Sequence, residues 1–253
     1  RSGKTSFAET ALRVVSGKGG PGVGTEKGYA YATKAGLSKM FFVGSMDMEN
    51  ADYFKTVEQL REVFGISVCP TCCPVMEGEK MVALIDFVER NMKVYQNGVP
   101  EIKPLPEDLG DEANALWDMM SESVAETSEE LMEKFFNGEY FSREETIAGL
   151  RAGIADGSIA PVLCGSAYTL EGIDNVLETI VSATPSPADK GEVKAEIDGK
   201  EGALKVDPDG DLAAIVFKTV ADPFVGKMSY FKVISGTMKA DSQVANSTSG
   251  QTE

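Results

Sequence analysis

The sequence predicts an α/β protein in which a mostly parallel sheet is interrupted by an inserted α+β subdomain and followed by the beginning of a β-barrel. Three observations predict it. Short apolar runs alternate with helix-period segments up to about residue 76 and again after residue 158, the β-α-β order of a parallel sheet. An acidic stretch between them changes character to short strands and helices. Thr184-Pro185-Ser186-Pro187 then stops a helix and hands over to β-rich sequence, since proline neither continues a helix nor lets the preceding residue do so.

The first strand is Leu12 to Val15, followed by a helix from Thr25 to Ala35 and a second strand at Met40-Phe41-Phe42-Val43. The next helix is the clearest. Asn50 is its predicted N-cap, Tyr53, Val57, Leu60 and Phe64 share one face, and Gly65 stands where a left-handed residue ends a helix. Ile66 to Cys69 reads as a further strand, and Met81–Val88 and Lys93–Tyr95 as short strands, before Pro100, Pro104 and Pro106 mark a loop. One long acidic helix is expected along Leu116, Met120, Val124, Leu131 and Phe135. Ser142 and Glu145 form a capping box for the helix carrying Ile147, Leu150 and Ile154. Pro161 to Cys164 resumes a buried strand, and Leu170, Ile173, Leu177 and Ile180 line the last helix before the linker. Leu212–Val220 and Met228–Ile234 are strands of a β region too short to close a barrel. The expected domains are therefore 1–76 and 158–184 as one α/β unit, 77–157 as its insertion, and 188–253 as the start of a second domain.

Composition narrows the chemistry. With 253 residues and 42% apolar content the chain can fill a real core. A net charge of −16 argues against coating nucleic acid through a broad basic surface, while leaving room for a local RNA contact. Histidine is absent, which removes the commonest general base at neutral pH. No apolar run is long enough to span a bilayer, so a cytoplasmic protein with no membrane contact is expected. The four cysteines, three of them bunched at Cys69, Cys72 and Cys73, make no regular disulfide framework and are expected to be reduced; zinc would need Cys164 or a carboxylate as a further ligand.

Four segments carry candidate chemistry. Gly3-Lys4-Thr5 matches the end of a phosphate loop, where backbone N–H groups and the lysine hold phosphates and the threonine hydroxyl binds magnesium. Gly17-Lys18-Gly19-Gly20-Pro21-Gly22 matches a dinucleotide fingerprint, against which stand Pro21, which has no N–H to offer, and the simpler reading as a surface loop. Phe42-Val43-Gly44-Ser45-Met46-Asp47 lies at the C-terminal end of a strand, where parallel sheets bind ligands. Its aspartate either accepts from a ligand or caps the next helix. Cys164-Gly165-Ser166-Ala167 occupies a second strand end.

With Gly3-Lys4-Thr5, Phe42-Val43-x-x-Met46-Asp47 followed by Glu49-Asn50-Ala51-Asp52, Cys164-Gly165-Ser166-Ala167, Thr184-Pro185-Ser186-Pro187 and Ala221-Asp222-Pro223-Phe224-Val225-Gly226-Lys227 in this order, the chain resembles bacterial translation elongation factor G over almost its whole length. The resemblance implies a P-loop GTPase fold and a GTP-hydrolysing enzyme that uses Mg2+, binds the ribosome (its RNA and stalk proteins) and promotes translocation as a monomer. It assigns Gly3, Lys4, Thr5 and Ser6 to the phosphates, Thr5 also to magnesium, and Asp47, Ser166 and Ala167 to guanine. The acidic helices of 77–157 would face the ribosomal stalk.

The departures are specific. Between Ala8 and Leu12 the family has its first switch, with a magnesium-binding threonine, and an Asp-x-Pro-Gly-His segment whose histidine orients the attacking water; neither is present, and both act on terms that dominate phosphoryl transfer. No residue of the chain is therefore assigned a catalytic role, and a non-hydrolysing ribosome-binding paralogue or, more remotely, a dinucleotide enzyme are the alternatives. Omission of the switch segments is the expected explanation, because deleting a central strand outright prevents folding. Gly44 and Ser45 replace the Asn-Lys of the family's guanine motif, a change expected to cost roughly 1–3 kcal/mol, or about ten- to a hundredfold in affinity.

Overall fold

The computed structural model describes residues 10–197 and 200–253. The chain divides into two compact units between Pro185 and Ser186.

The first unit is built on a parallel sheet whose strands are β1 (Thr10–Ser16), β2 (Ser38–Gly44), β3 (Val68–Pro70) and, after a long excursion, β8 (Ala160–Cys164), in the spatial order β1-β2-β8-β3. Every residue of β2 and β8 is buried, which explains why Met40–Val43 and Ala160–Cys164 are apolar runs without alternation. Phe41, Val43, Val162 and Leu163 are fully buried, each side chain contributing about 1.5–3 kcal/mol of hydrophobic stabilisation. Helix α1 (Val23–Lys34) packs on β1 and β2, and α2 (Tyr53–Phe64) brings Phe64 into a ring cluster with Tyr29 and Phe41.

The excursion begins as a continuation of β3. The chain passes through Thr71 into β4 (Cys72–Glu77), the first strand of an antiparallel meander with β5 (Lys80–Asp86), β6 (Asn91–Gln96) and β7 (Val99–Pro104). Thr71 belongs to both sheets, donating its N–H to Val162 and accepting from Phe87. Helices α3 (Asp111–Ala125), α4 (Glu129–Phe136) and α5 (Arg143–Asp156) follow, and α5 packs back onto β2 and β8. After β8, α6 (Ile173–Ala183) closes the unit.

Several local expectations differ from the structure, beginning with the strand expected from Ile66: Gly65–Ser67 is a turn of 3-10 helix, and β3 starts at Val68. The N-cap of α2 is Asp52, whose Oδ1 accepts from the Lys55 N–H at 2.9 Å, and not Asn50. The proline-marked segment 99–104 is a strand, because it lies at the sheet edge where a missing N–H on the open side breaks no ladder bond. The expected single acidic helix is two. Thr127 Oγ1 donates to the Val124 carbonyl and Ser128 Oγ accepts from the Leu131 N–H, so side chains that compete with the helical ladder end α3 and cap α4. Helix α6 is turned from the expected phase: Asn175, Val176, Thr179 and Ala183 are buried, whereas Leu177 and Ile180 are 59% and 42% exposed. The capping box of α5 is as expected, with Ser142 Oγ accepting from Glu145 N–H and Glu145 Oε2 from Ser142 N–H.

In residues 186–253 the described strands form separate pairs: β9 (Glu192–Ile197) with β10 (Lys200–Lys205), β11 (Ala213–Asp222) with β12 (Gly226–Ser235), and the two-residue β13 (Ala245–Asn246) with β14 (Gln251–Thr252). The second turns at Asp222, whose Oδ1 accepts from the N–H groups of Phe224 and Val225.

Candidate nucleotide site

The parallel strands β2 and β8 are neighbours, so their C-terminal ends deliver two loops side by side. One is Ser45-Met46-Asp47, the other Gly165-Ser166-Ala167. They are bonded to each other: the Met46 N–H donates to the Gly165 carbonyl at 3.2 Å, and the Gly165 N–H donates to the Val43 carbonyl at 3.1 Å. Three predicted residues thereby come together at one edge of the sheet. Asp47 is half-buried, Ser166 is buried and Ala167 is exposed. Gly3, Lys4, Thr5 and Ser6 lie outside the described residues.

The second loop is closed on itself. Ser166 donates its N–H to the Glu171 carbonyl at 2.9 Å, and its hydroxyl accepts from the N–H groups of Tyr168 and Thr169 at 3.1 and 3.2 Å. Thr169 Oγ1 donates to Glu171 Oε2 at 3.0 Å. Gly165 and Gly172 lie backbone against backbone: a Cβ on Gly165 would collide with the Glu171 carbonyl, and one on Gly172, which also has φ +79°, with that of Cys164. Glycine is therefore required at both ends of the loop. Ser166 shapes the loop from inside. Among the described residues nothing accepts from the Ala167 N–H, and Ala167 is exposed.

Between the strand and Asp47, Ser45 has φ +63° and is exposed. A Cβ on Gly44 would meet the Phe42 ring at 3.3 Å and Val14 at 3.5 Å, a tight but yielding fit.

The glycine-rich loop at 17–22 does not have the form of a phosphate cradle. Its donors are used internally: Gly17 N–H goes to the Gly44 carbonyl, Gly20 N–H to the Ser16 carbonyl, Lys18 and Gly19 N–H to Ser16 Oγ, and Gly22 N–H to Thr25 Oγ1. With Pro21 contributing no N–H, the basis for a dinucleotide site is gone. A pocket of about 720 Å³ opens beside this loop, lined among others by Lys18, Asp52, Lys55, Glu79 and Glu112.

The cysteines are free and buried. Cys72 Sγ and Cys164 Sγ lie 3.8 Å apart beneath the Ser166 loop. Burial pushes the Cys69 and Cys73 thiols up to about 12 and the Cys164 thiol well above its ordinary value, so the thiolate a zinc ion would need is disfavoured there.

The family model described as the elongation factor Tu GTP binding domain matches residues 1–186. The chain belongs to that family of translational GTPases. The crystal structure of ttk003000868 from Thermus thermophilus is similar, with 30% sequence identity and a TM-score of 0.79 over 96% of this chain. The chain spans about a third of that protein, 34% of its length. The parallel sheet with its helices is thus a P-loop GTPase sheet, with further antiparallel sheets added to it, and the resemblance to elongation factor G read from the motifs rests on membership of a shared family. Among the described residues no helix is long and apolar enough to cross a membrane.

Sequence reasoning singled out Asp47, Ser166 and Ala167 as candidates through their order along the chain. It missed the residues behind the loop, Lys93, Tyr95, Asp174 and Glu178. A lysine in the pattern Met92-Lys93-Val94-Tyr95 reads as the solvent side of a strand, and nothing local signals that Lys93 is 1% exposed.

Proposed function

We propose that this chain binds guanine nucleotide at the ends of β2 and β8 as part of a translational GTPase that works on the ribosome during translocation. The observation that carries this reading is the bonded pair of loops, which sets Asp47 and Ala167, whose N–H has no partner among the described residues, at one sheet edge. The two groups complement guanine: a carboxylate accepts from N1–H and the 2-amino group, and a backbone N–H donates to O6. Adenine offers a 6-amino donor in place of O6 and no 2-amino group, so it is disfavoured at both points. Ser166 holds the loop from within. Gly3, Lys4, Thr5 and Ser6 would hold the phosphates, with Thr5 at magnesium, which supplies charge neutralisation for the phosphoryl oxygens when bound.

The segments 1–76 and 158–184 are assigned to one GTPase domain, 77–157 to its insertion and 188–253 to a second domain. Hydrolysis by this chain is not part of the reading, because the switch threonine and the water-orienting histidine are absent from the sequence. Titration of the whole chain with a fluorescent GDP analogue in Mg2+, with competition by GDP and ADP, tests the proposal. Competition by GDP at least about tenfold better than by ADP is expected, the worth of one well-made hydrogen bond to a charged group. Equal competition would overturn it.

A further inference from the structure

We propose that the β6–β7 hairpin of the antiparallel sheet is a brace for the Gly165–Gly172 loop, with Lys93 and Tyr95 as positioning residues for guanine recognition; this rests on the nucleotide reading above. Lys93 and Tyr95 lie two apart on β6 and so share a face of the strand. Both are buried, and both end on the first turns of α6. Lys93 Nζ is 3.0 Å from Asp174 Oδ2 and 3.4 Å from Asp86 Oδ2, and it bonds Glu178 Oε2 as well. The Tyr95 hydroxyl donates to Asp174 Oδ1 at 2.9 Å and has the Gly172 backbone against it. At the hairpin tip, Asn97 and Gly98 both have positive φ, and a Cβ on Gly98 would come within 2.7 Å of the Thr169 carbonyl. The hairpin therefore meets the loop at Thr169, at Gly172 and at the helix turn into which the loop runs.

The chemistry is that of orientation. An ammonium group has three donors, and three carboxylates from β5 and α6 surround this one. Burial works against the Lys93 charge, but the bonds to Glu178 and Asp174 and the Asp86 charge outweigh it and hold the lysine above its usual pKa. Burial likewise raises Asp86 despite the lysine and the Glu89 and Val88 N–H groups. Apolar residues in place of the whole cluster could fill such a space without loss of stability, whereas one ammonium shared among three carboxylates, by a hydrogen bond to Glu178 and ion pairs to Asp174 and Asp86, restricts how its partners can be arranged. Asp174 and Glu178 lie one helical turn apart, so fixing both sets the rotation of α6 about its axis. That rotation fixes Gly172 and, through the closed loop, the direction of the Ala167 N–H. It also accounts for the phase of α6 that leaves Leu177 and Ile180 outside.

Tyr95→Phe and Lys93→Met, with Lys93→Arg as the charge-conserving partner, test the brace in the whole chain by amide hydrogen exchange of residues 165–172 and by GDP and IDP affinity. Tyr95→Phe keeps the ring and removes one hydrogen bond, and is expected to speed exchange in 165–172 about tenfold with β2 unchanged. GDP and IDP should weaken alike, by about five- to tenfold, because they share O6 and differ only in the 2-amino group that Asp47 reads. Lys93→Met should act in the same direction and Lys93→Arg less. Faster exchange everywhere, or none in 165–172 with Tyr95→Phe, would show that the cluster only stabilises the fold and would overturn the inference. Failure of the unsubstituted chain to bind GDP would remove the guanine role, while the exchange comparison still decides whether the hairpin holds the loop.

Discussion

Strands β8 and β11 are both rich in apolar residues, yet their surroundings are opposite. In β8 all five residues are buried between β2 and β3, under α5. In β11, Ile215, Val216 and Phe217 are 50%, 60% and 42% exposed, although the strand pairs with β12 along nearly its whole length, with a bulge at Phe217. Both core clusters among the described residues lie before Pro185, and Ser235 is the single buried residue described after it. The difference separates two contributions that are often merged. Backbone pairing satisfies donors and acceptors at little net gain, whereas removal of apolar surface from water supplies the stability. A hairpin without a covered face has the first and lacks the second. The candidate site lies at the ends of strands that have both.

The largest expected effect tests that contrast directly. In hydrogen exchange on the whole chain, amides of β2 and β8 should be protected at least about a thousandfold more than those of β11 and β12, since the latter open without exposing a core. Equal protection would break the comparison. Next, Leu163→Ala in β8 should cost about 3 kcal/mol by chemical denaturation, as a fully buried side chain leaves a cavity, while Phe231→Ala in β12, already 44% exposed, should cost less than about 1 kcal/mol.

A smaller effect sharpens the comparison at the site. Asp47→Asn should lower GDP affinity by about 2 kcal/mol and raise XDP affinity, because xanthine carries a carbonyl where guanine carries its 2-amino group and an amide can donate to it. A fall for both nucleotides would argue that Asp47 supports the loop and does not read the base. The smallest effect is electrostatic. Arg143 grips Glu89 with two bonds of 2.7 Å, and this hydrogen bonding holds the Glu89 carboxyl below its usual pKa against a modest cost of burial. A depressed pKa gives stability that is present above the unfolded value of about 4.3 and is lost as pH falls through the folded one. Arg143→Met should therefore narrow the stability difference between pH 7 and pH 3, and an unchanged pH profile would show the pair to be inert.

How much of this was written in the sequence follows from the range of each interaction. The Ser142–Glu145 box, the Gly65 helix end, the buried runs of β2 and β8 and the order of the Asp47 and Ser166 motifs depend on residues a few positions apart, and all were legible. The N-cap of α2 was misplaced by two residues because Asn50 and Asp52 are equally good caps in isolation, and only the backbone decides between them. The break between α3 and α4 was within reach, since Thr127-Ser128 carries it locally.

The sequence by itself determined most strands and helices of the parallel-sheet unit, and it set the two candidate loops at strand ends, because periodicity and capping are properties of neighbours. Only the tertiary structure decided that β8 lies beside β2, so that Met46 can bond Gly165 and the Asp47 and Ala167 positions meet. It alone buried Lys93 against Asp174 and Glu178 and so turned α6 to a face that its apolar pattern did not choose. The physical reason is the same in each case. A hydrogen bond or ion pair between distant positions exists only once sheet order has brought them together, and no local pattern encodes the desolvation that makes such a bond compel its partners.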